Sequence, residues 1–211
     1  MTPSDRKSKI IWLQTTDSTN TEIKRRIDSL DNLSVIATVE QSEGRGQGDH
    51  KWHSLPGQNL TFSLLLRFPT TGQGRIRTSE ILLITCITTL GIRDYLGSRG
   101  VESRIKWPND IWVGDKKICG ILIENTLDHD CVAHSIVGIG LDINQTVWPD
   151  ELPNPISLKQ LTGISYDLET ELEELAACIE KRCALLASEE RRKSLEEEFR
   201  RNCFTLNAER R

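Results

Sequence analysis

Leu60, Phe62, Leu64 and Leu66 alternate with Thr61 and Ser63, a period of two that predicts a strand over 59–66 with one face against a core. Apolar runs at 10–13 and 34–40 predict two earlier strands, and 104–107 predicts another that stops at Pro108. Residues 111–113 and 117–124 flank Gly114-Asp115, a pair that tolerates positive φ, and so predict a hairpin. A further strand is expected over 131–143, interrupted at Gly138 and Gly140 by a bulge or by a close approach to the backbone. Three- and four-residue spacing marks helices. Ile23, Ile27 and Leu30 place one over 21–30. Residues 80–96 are apolar on most sides, so that helix should be deeply buried, capped by Ser79 and ended by Gly97 or Gly100. Asp167 can cap a helix from 168 to about 187, and Leu195, Phe199 and Cys203 mark one more. Mixed strands and helices with hairpins among them predict an α+β fold with a mixed, largely antiparallel sheet.

At 211 residues, 37% hydrophobic and 27% charged, the chain has the size and composition of a soluble globular protein with one sizeable domain. A net charge of -4 argues against a general nucleic-acid binder. No apolar run reaches the length of a membrane span and no apolar segment follows the polar first residues, so the cytoplasm is the expected compartment. Six cysteines contain no C-x-x-C pair and no histidine at ligand spacing, which favours reduced thiols over a zinc site or a disulfide framework.

Four stretches could carry chemistry. Residues 40–52 hold Gly44, Gly46 and Gly48 around Arg45, with Trp52 at the end, between two strands. The loop is either a structural turn or a backbone-rich cradle in which Arg45 offers a planar cation to carboxylate or phosphate. It is neither a P-loop nor a dinucleotide fingerprint, since it leads into a strand rather than opening a helix. Asp17-Ser18-Thr19-Asn20 stands at a helix start, where its side chains can cap free N–H groups or bind a small polar ligand. Lys106-Trp107-Pro108-Asn109-Asp110 puts a lysine at a strand end, either solvated or held for use. The segment 138–145, Gly-Ile-Gly-Leu-Asp-Ile-Asn-Gln, is either a strand running into an Asx turn or part of a site.

In this order and spacing, Asp17–Asn20, Gly44-Arg45-Gly46-Gln47 with Trp52, Lys106–Asp110 with Gly120–Glu124, and Gly138–Gly140 with Asn144 resemble the biotin–protein ligases. The resemblance spans about residues 10–145. It implies a fold like the class II aminoacyl-tRNA synthetases and one catalytic domain over 1–211, with the family's usual small C-terminal β-barrel absent or truncated and no N-terminal DNA-binding helix-turn-helix. It also implies the activity: biotin and ATP, with Mg²⁺, give biotinyl-5'-AMP and pyrophosphate, and biotin passes to one lysine of a biotin carboxyl carrier domain, as in acetyl-CoA carboxylase. Arg45 and Lys106 are implied as the catalytic cations. Ser18, Thr19, Asn20, Gln41, Gly44, Arg45, Gly46, Gln47, Lys106, Trp107 and Gly120 are implied to bind biotin; Arg45, Trp52, Lys106, Asn109, Asp142 and Asn144, to bind ATP, with Trp52 stacked on adenine. Mg²⁺ is expected on phosphate oxygens and water, without a carboxylate cage. No DNA or membrane partner is expected, and pairing of two chains through an exposed sheet edge stays open. Gln47 and Asp142 depart from the family pattern of arginine and asparagine; the first loses a cation, the second an amide donor. A lipoate–protein ligase or octanoyltransferase, and a non-catalytic biotin-binding module, are the alternatives.

Overall fold

In the computed structural model, which describes residues 9–48 and 51–204, seven strands form one sheet. They are β1 (Ile10–Thr16), β2 (Val35–Gln41), β3 (Leu60–Arg67), β4 (Arg104–Lys106), β5 (Asp110–Val113), β6 (Lys116–Asp128) and β7 (Cys131–Leu141). Their order is β1-β2-β3-β7-β6-β5-β4, parallel between β1 and β2 and antiparallel elsewhere. The fold is thus the α+β arrangement with a mixed, largely antiparallel sheet that the pattern predicts. The parallel pair arises because the chain crosses from β1 to β2 through α1 (Thr19–Arg25).

The period of two in β3 decides what each face does. Leu60, Phe62, Leu64 and Leu66 join Val35, Ala37, Val137, Ile139 and Leu141 in the main core. That core is closed by α2 (Leu82–Ser98), α4 (Leu168–Cys183) and α5 (Glu189–Asn202), with the short α3 (Leu158–Thr162) between α2 and α4 in the chain. On the other face Leu65, Ile36 and Ile136 pack under Ile23 of α1. Farther along that face the rows turn polar and small. Ser63 pairs with Gly138 and Gly138 with Leu122; Thr61 pairs with Gly140 and Gly140 with Gly120. Two adjacent glycines on neighbouring strands remove the side chains that would cover the sheet there, and a trough results.

Several element boundaries differ from the sequence pattern. Helix α1 stops at Arg25, and the predicted continuation to Leu30 is a 3-10 turn over Ile27–Ser29 that still buries Leu30. Ser79 does not cap α2; it lies inside a 3-10 turn, Thr78–Glu80, that leads into the helix. Gly97 lies within α2, and the chain leaves the helix through Gly100 at φ 74°. Gly138 and Gly140 do not interrupt β7, whose register stays regular past both; of the two expectations there, a close approach to the backbone is the one met. Asp167 does cap α4, accepting from the Thr170 N–H at 2.9 Å, whereas α3 was not anticipated. Contrary to the expectation that no run reaches the length of a membrane span, the helix with its leading turn, Thr78–Ser98, meets that length and composition. Here Leu83, Ile84, Ile87, Leu90 and Ile92 of that helix are buried in the core. All six cysteines are free thiols.

Candidate active site

The trough opens into a cavity of about 300 Å³ lined from four directions. Ser18, Thr19 and Asn20 come from the start of α1, and Gln41 from the end of β2. Arg45, Gly46, Gln47, Lys51 and Trp52 come from the glycine loop, and 106–110 from β4 and the turn after it. Gly120, Gly138 and Gly140 form the floor. The separate motifs therefore meet in one place. Of the residues predicted for the site, Ser18, Thr19, Asn20, Gln41, Arg45, Gly46, Gln47, Trp52, Lys106, Trp107, Asn109 and Gly120 line it. Gly44, Asp142 and Asn144 are not among the lining residues. Gly44 sits at the loop's base, its carbonyl accepting from the Trp52 N–H at 3.0 Å. Asn144 is engaged on both amide atoms by the backbone of Tyr166, at 2.8 and 3.0 Å, and so anchors a loop. Asp142 lies buried just beyond the glycines.

The start of α1 is not simply capped. Ser18 occupies the N-cap position but its side chain makes no cap hydrogen bond. Asp17 accepts from the Ser18 N–H and pairs with Arg25 at 2.6 Å; the hydrogen bond from Arg25 holds its carboxyl well below the usual range. The Thr19 N–H instead donates to Gln41 Oε1 at 2.9 Å, which ties the helix start to the end of β2. Among these residues Ser18, Thr19 and Asn20 are buried. Neutral hydroxyls and amides that both donate and accept thus converge on the cavity without a charge among them.

Cations line the same cavity. Arg45 reaches Thr21 Oγ1 at 3.2 Å and Glu124 at 3.7 Å. Lys106 Nζ lies 4.4 Å from the centre of the Trp112 ring, a cation–π contact. Lys117, which the sequence reading passed over, also lines the cavity. Its Nζ pairs with Asp110 Oδ1 at 2.7 Å and stands 5.8 Å from the Trp52 ring. No sequence signal marked it: strict alternation would put Lys117 and Gly120 on opposite faces of the strand, and the register shift between Ile111 and Trp112 is what brings Lys117 to the glycine side.

Trp52 lies in the glycine trough. A Cβ on Gly140 would fall 2.1 Å from Trp52 Cε2, and one on Gly120 2.9 Å from Trp52 Cζ3, so only glycine admits the ring. The indole N–H is buried without a partner among the described residues. Asp142 follows Gly140 by two positions, on the same face of the chain, and its Oδ1 is likewise buried and unpartnered. Burial pushes the Asp142 pKa well above the carboxylate range, against the pull of Lys117. A raised folded-state pKa means that the folded protein keeps this proton to higher pH than the unfolded chain. The associated stability is present in acid and is lost as pH rises through the folded pKa. Asp142→Asn is therefore expected to raise Tm at neutral pH, by about 1–2 kcal/mol of stability, with the gain shrinking towards pH 4. Thermal melts of both proteins across that range would check it.

Solved structures share this architecture. Biotin protein ligase from Aquifex aeolicus in complex with biotin and ATP superposes with a TM-score of 0.74 at 26% identity, over 90% of this chain and 76% of that one. Among proteins of known activity, the bifunctional ligase/repressor BirA of Bacillus subtilis is 34% identical over 153 residues, 71% of this chain and 45% of its own. The biotin–[acetyl-CoA-carboxylase] ligase of Paracoccus denitrificans is 31% identical over 172 residues, 78% of this chain and 68% of its own. The mixed seven-stranded sheet packed with helices is thus a fold shared with solved biotin protein ligases. The model of the biotin/lipoate A/B protein ligase family matches residues 12–142, and the chain belongs to that family. It spans about half the length of the BirA relatives it matches, 45% in the Bacillus protein.

Proposed function

We propose that the protein is a biotin–protein ligase, which activates biotin with ATP and then biotinylates a lysine of a biotin carboxyl carrier protein. The observation that carries this reading is the neutral, buried set Ser18, Thr19 and Asn20 beside Gln41, in one cavity with Arg45, Lys106 and Lys117. A ureido ring offers two N–H donors and a carbonyl, which hydroxyls and amides match and a charged group would not. A lipoyl or octanoyl chain has no such group, so the polar set would be left unpaired. The names of the Paracoccus and Aquifex proteins point the same way.

Activation brings the carboxylate of biotin against the α-phosphorus of ATP. The carboxylate oxygen forms the new P–O bond and pyrophosphate leaves with the electrons of the old one. Two anions must approach, so positive groups are needed where charge accumulates. Lys117 is assigned to the reacting centre because it stands at the glycine floor, and Arg45, now held by Thr21 and Glu124, is assigned to the phosphates from the loop. Lys106 lines the outer wall as a second cation. The apolar chain of biotin fits between Trp107 and the strand of Gly120, Ile121 and Leu122. The base of ATP is assigned to the trough now held by Trp52, which would stack on it after a shift. Mg²⁺ enters with the phosphates; among the described lining residues Asp110 is the one carboxylate, and it is already paired with Lys117, so phosphate oxygens and water are assigned most of the coordination. In the second step the acceptor lysine's amine attacks the acyl carbon, AMP leaves, and the ammonium proton is lost to solvent.

The test is transfer. Purified protein with biotin, ATP, Mg²⁺ and an apo carrier domain should add one biotin mass to a single lysine, by intact-mass and peptide analysis. Lipoylation of a lipoyl domain in place of this would overturn the reading. The compartment is proposed to be the cytoplasm, where carboxylases and ATP are found together.

A further inference from the structure

We infer that Ser63 and Glu124, neither of which lines the cavity, are positioning residues that set the hydrogen-bonding sense of Thr19, Asn20 and Gln41. The inference rests on the biotin reading of the cavity and extends it to specificity.

Five side chains from four elements form one chain of contacts. Glu124 Oε2 accepts from Asn20 Nδ2 at 2.8 Å. Asn20 Oδ1 lies 2.5 Å from Ser63 Oγ, and Ser63 Oγ lies 2.7 Å from Thr19 Oγ1. Gln41 Oε1 takes the Thr19 N–H at 2.9 Å. Glu124 is the end that cannot reverse. Burial opposes its charge, but hydrogen bonds from Lys24 and Asn20, with Lys24 and Arg45 nearby, hold its pKa below the usual range. An ionised carboxylate only accepts. Asn20 must therefore turn its NH₂ towards Glu124 and its Oδ1 towards Ser63. Ser63, buried on β3, has one proton, and Asn20 Oδ1 is an acceptor only, so the proton goes there. Ser63 then accepts from the Thr19 hydroxyl. The Thr19 oxygen keeps lone pairs for a ligand. At the far end, the Thr19 N–H fixes Gln41 Oε1, which leaves Gln41 Nε2 as a donor.

The cavity is thus presented with acceptors at Thr19 Oγ1 and Asn20 Oδ1 and a donor at Gln41 Nε2. That is the complement of a cyclic urea, two N–H groups and a carbonyl. Gly138 belongs to the same device, because a Cβ there would stand 2.4 Å from Asn20 Oδ1 and push the amide out of line.

The test uses biotin-dependent exchange of pyrophosphate into ATP, with Glu124→Gln, Ser63→Ala, Ser63→Cys and the Glu124→Gln/Ser63→Ala double variant. Gln can reverse its amide, and Cys fills the space of Ser while donating only weakly. The KM for biotin is expected to rise about tenfold in each single variant, with kcat and the KM for ATP within about twofold of the parent in the Ser63 variants, which leave the Glu124–Arg45 pair in place. The double variant should be no worse than about twice the poorer single, because one chain is broken in both. Glu124 is partly exposed, so its variant reads out even if the Ser63 variants lose stability. A biotin KM unchanged in Glu124→Gln, a Ser63→Cys protein equal to the parent, or equal rises in both KM values in the Ser63 variants would overturn the inference. A parent protein without biotin-dependent exchange would instead overturn the ligase reading on which it rests.

Discussion

Lys117→Ala is expected to lower biotin-dependent adenylate formation by about 10²–10³-fold, the range seen when one electrostatic group is removed from a transition state. Lys106→Ala should cost only about tenfold. The difference follows from where each ammonium stands. Lys117 lies over the glycine floor beside Trp52, with one carboxylate, Asp110, 2.7 Å away. When the phosphates arrive that ion pair can open, and the lysine gains stronger partners than it leaves. Lys106 is held against the Trp112 ring at 4.4 Å and contributes mainly to the local field. Single-turnover formation of the adenylate, measured with saturating biotin and ATP, separates the two, because it reads the chemical step rather than product release. Equal losses would move the reacting centre to the β4 side of the cavity. A normal Lys117→Ala protein would remove that lysine from the mechanism.

The second large effect is expected from the floor. Gly140→Val puts three carbons where a Cβ alone would already fall 2.1 Å from the Trp52 ring. The neighbouring strands pair with Gly140 on both sides, through Thr61 and Gly120, so the backbone cannot retreat. The ring must leave the trough, and nothing flat can take its place. The KM for ATP is expected to rise by about 10²-fold or more, in keeping with a lost aromatic contact plus a steric block. The fold should survive, since valine is a good strand residue and the opposite face of β7 is unchanged. Far-UV circular dichroism with the ATP dependence of exchange would check both parts. An unaltered KM for ATP would place the nucleotide elsewhere.

How much of this was legible in the sequence differs from element to element. The alternation in β3 was legible because its apolar positions face a continuous helical layer while Thr61 and Ser63 face the cavity side. The long buried helix was legible for the same reason, although its start was not: the turn at Thr78–Glu80 precedes it, and Ser79 falls inside that turn. Helix α3 is only five residues long, too short for a period to register. The motifs of the candidate site were legible as a set, and the fold gathers most of them. Lys117 was not, because a lysine before Ile118 and Cys119 reads as a strand edge until β5 and β6 pair and bring it to Asp110. Ser63 and Glu124 were quiet for a related reason. Their effect passes through Asn20, and only the register of β3, β7 and β6 brings them to it. The glycines at 138 and 140 could be read as interruptions, and their reason, the side chains of Asn20 and Trp52 pressed against them, lies in tertiary contacts.

If this cavity activates biotin, it does so by joining it to the α-phosphate of ATP. Exchange of radiolabelled pyrophosphate into ATP measures that step alone, without a carrier protein. The expected result is exchange that requires biotin and Mg²⁺, saturates with biotin, and is absent with lipoate or octanoate. Exchange supported by lipoate but not biotin, or no exchange with any of these acids, would contradict it.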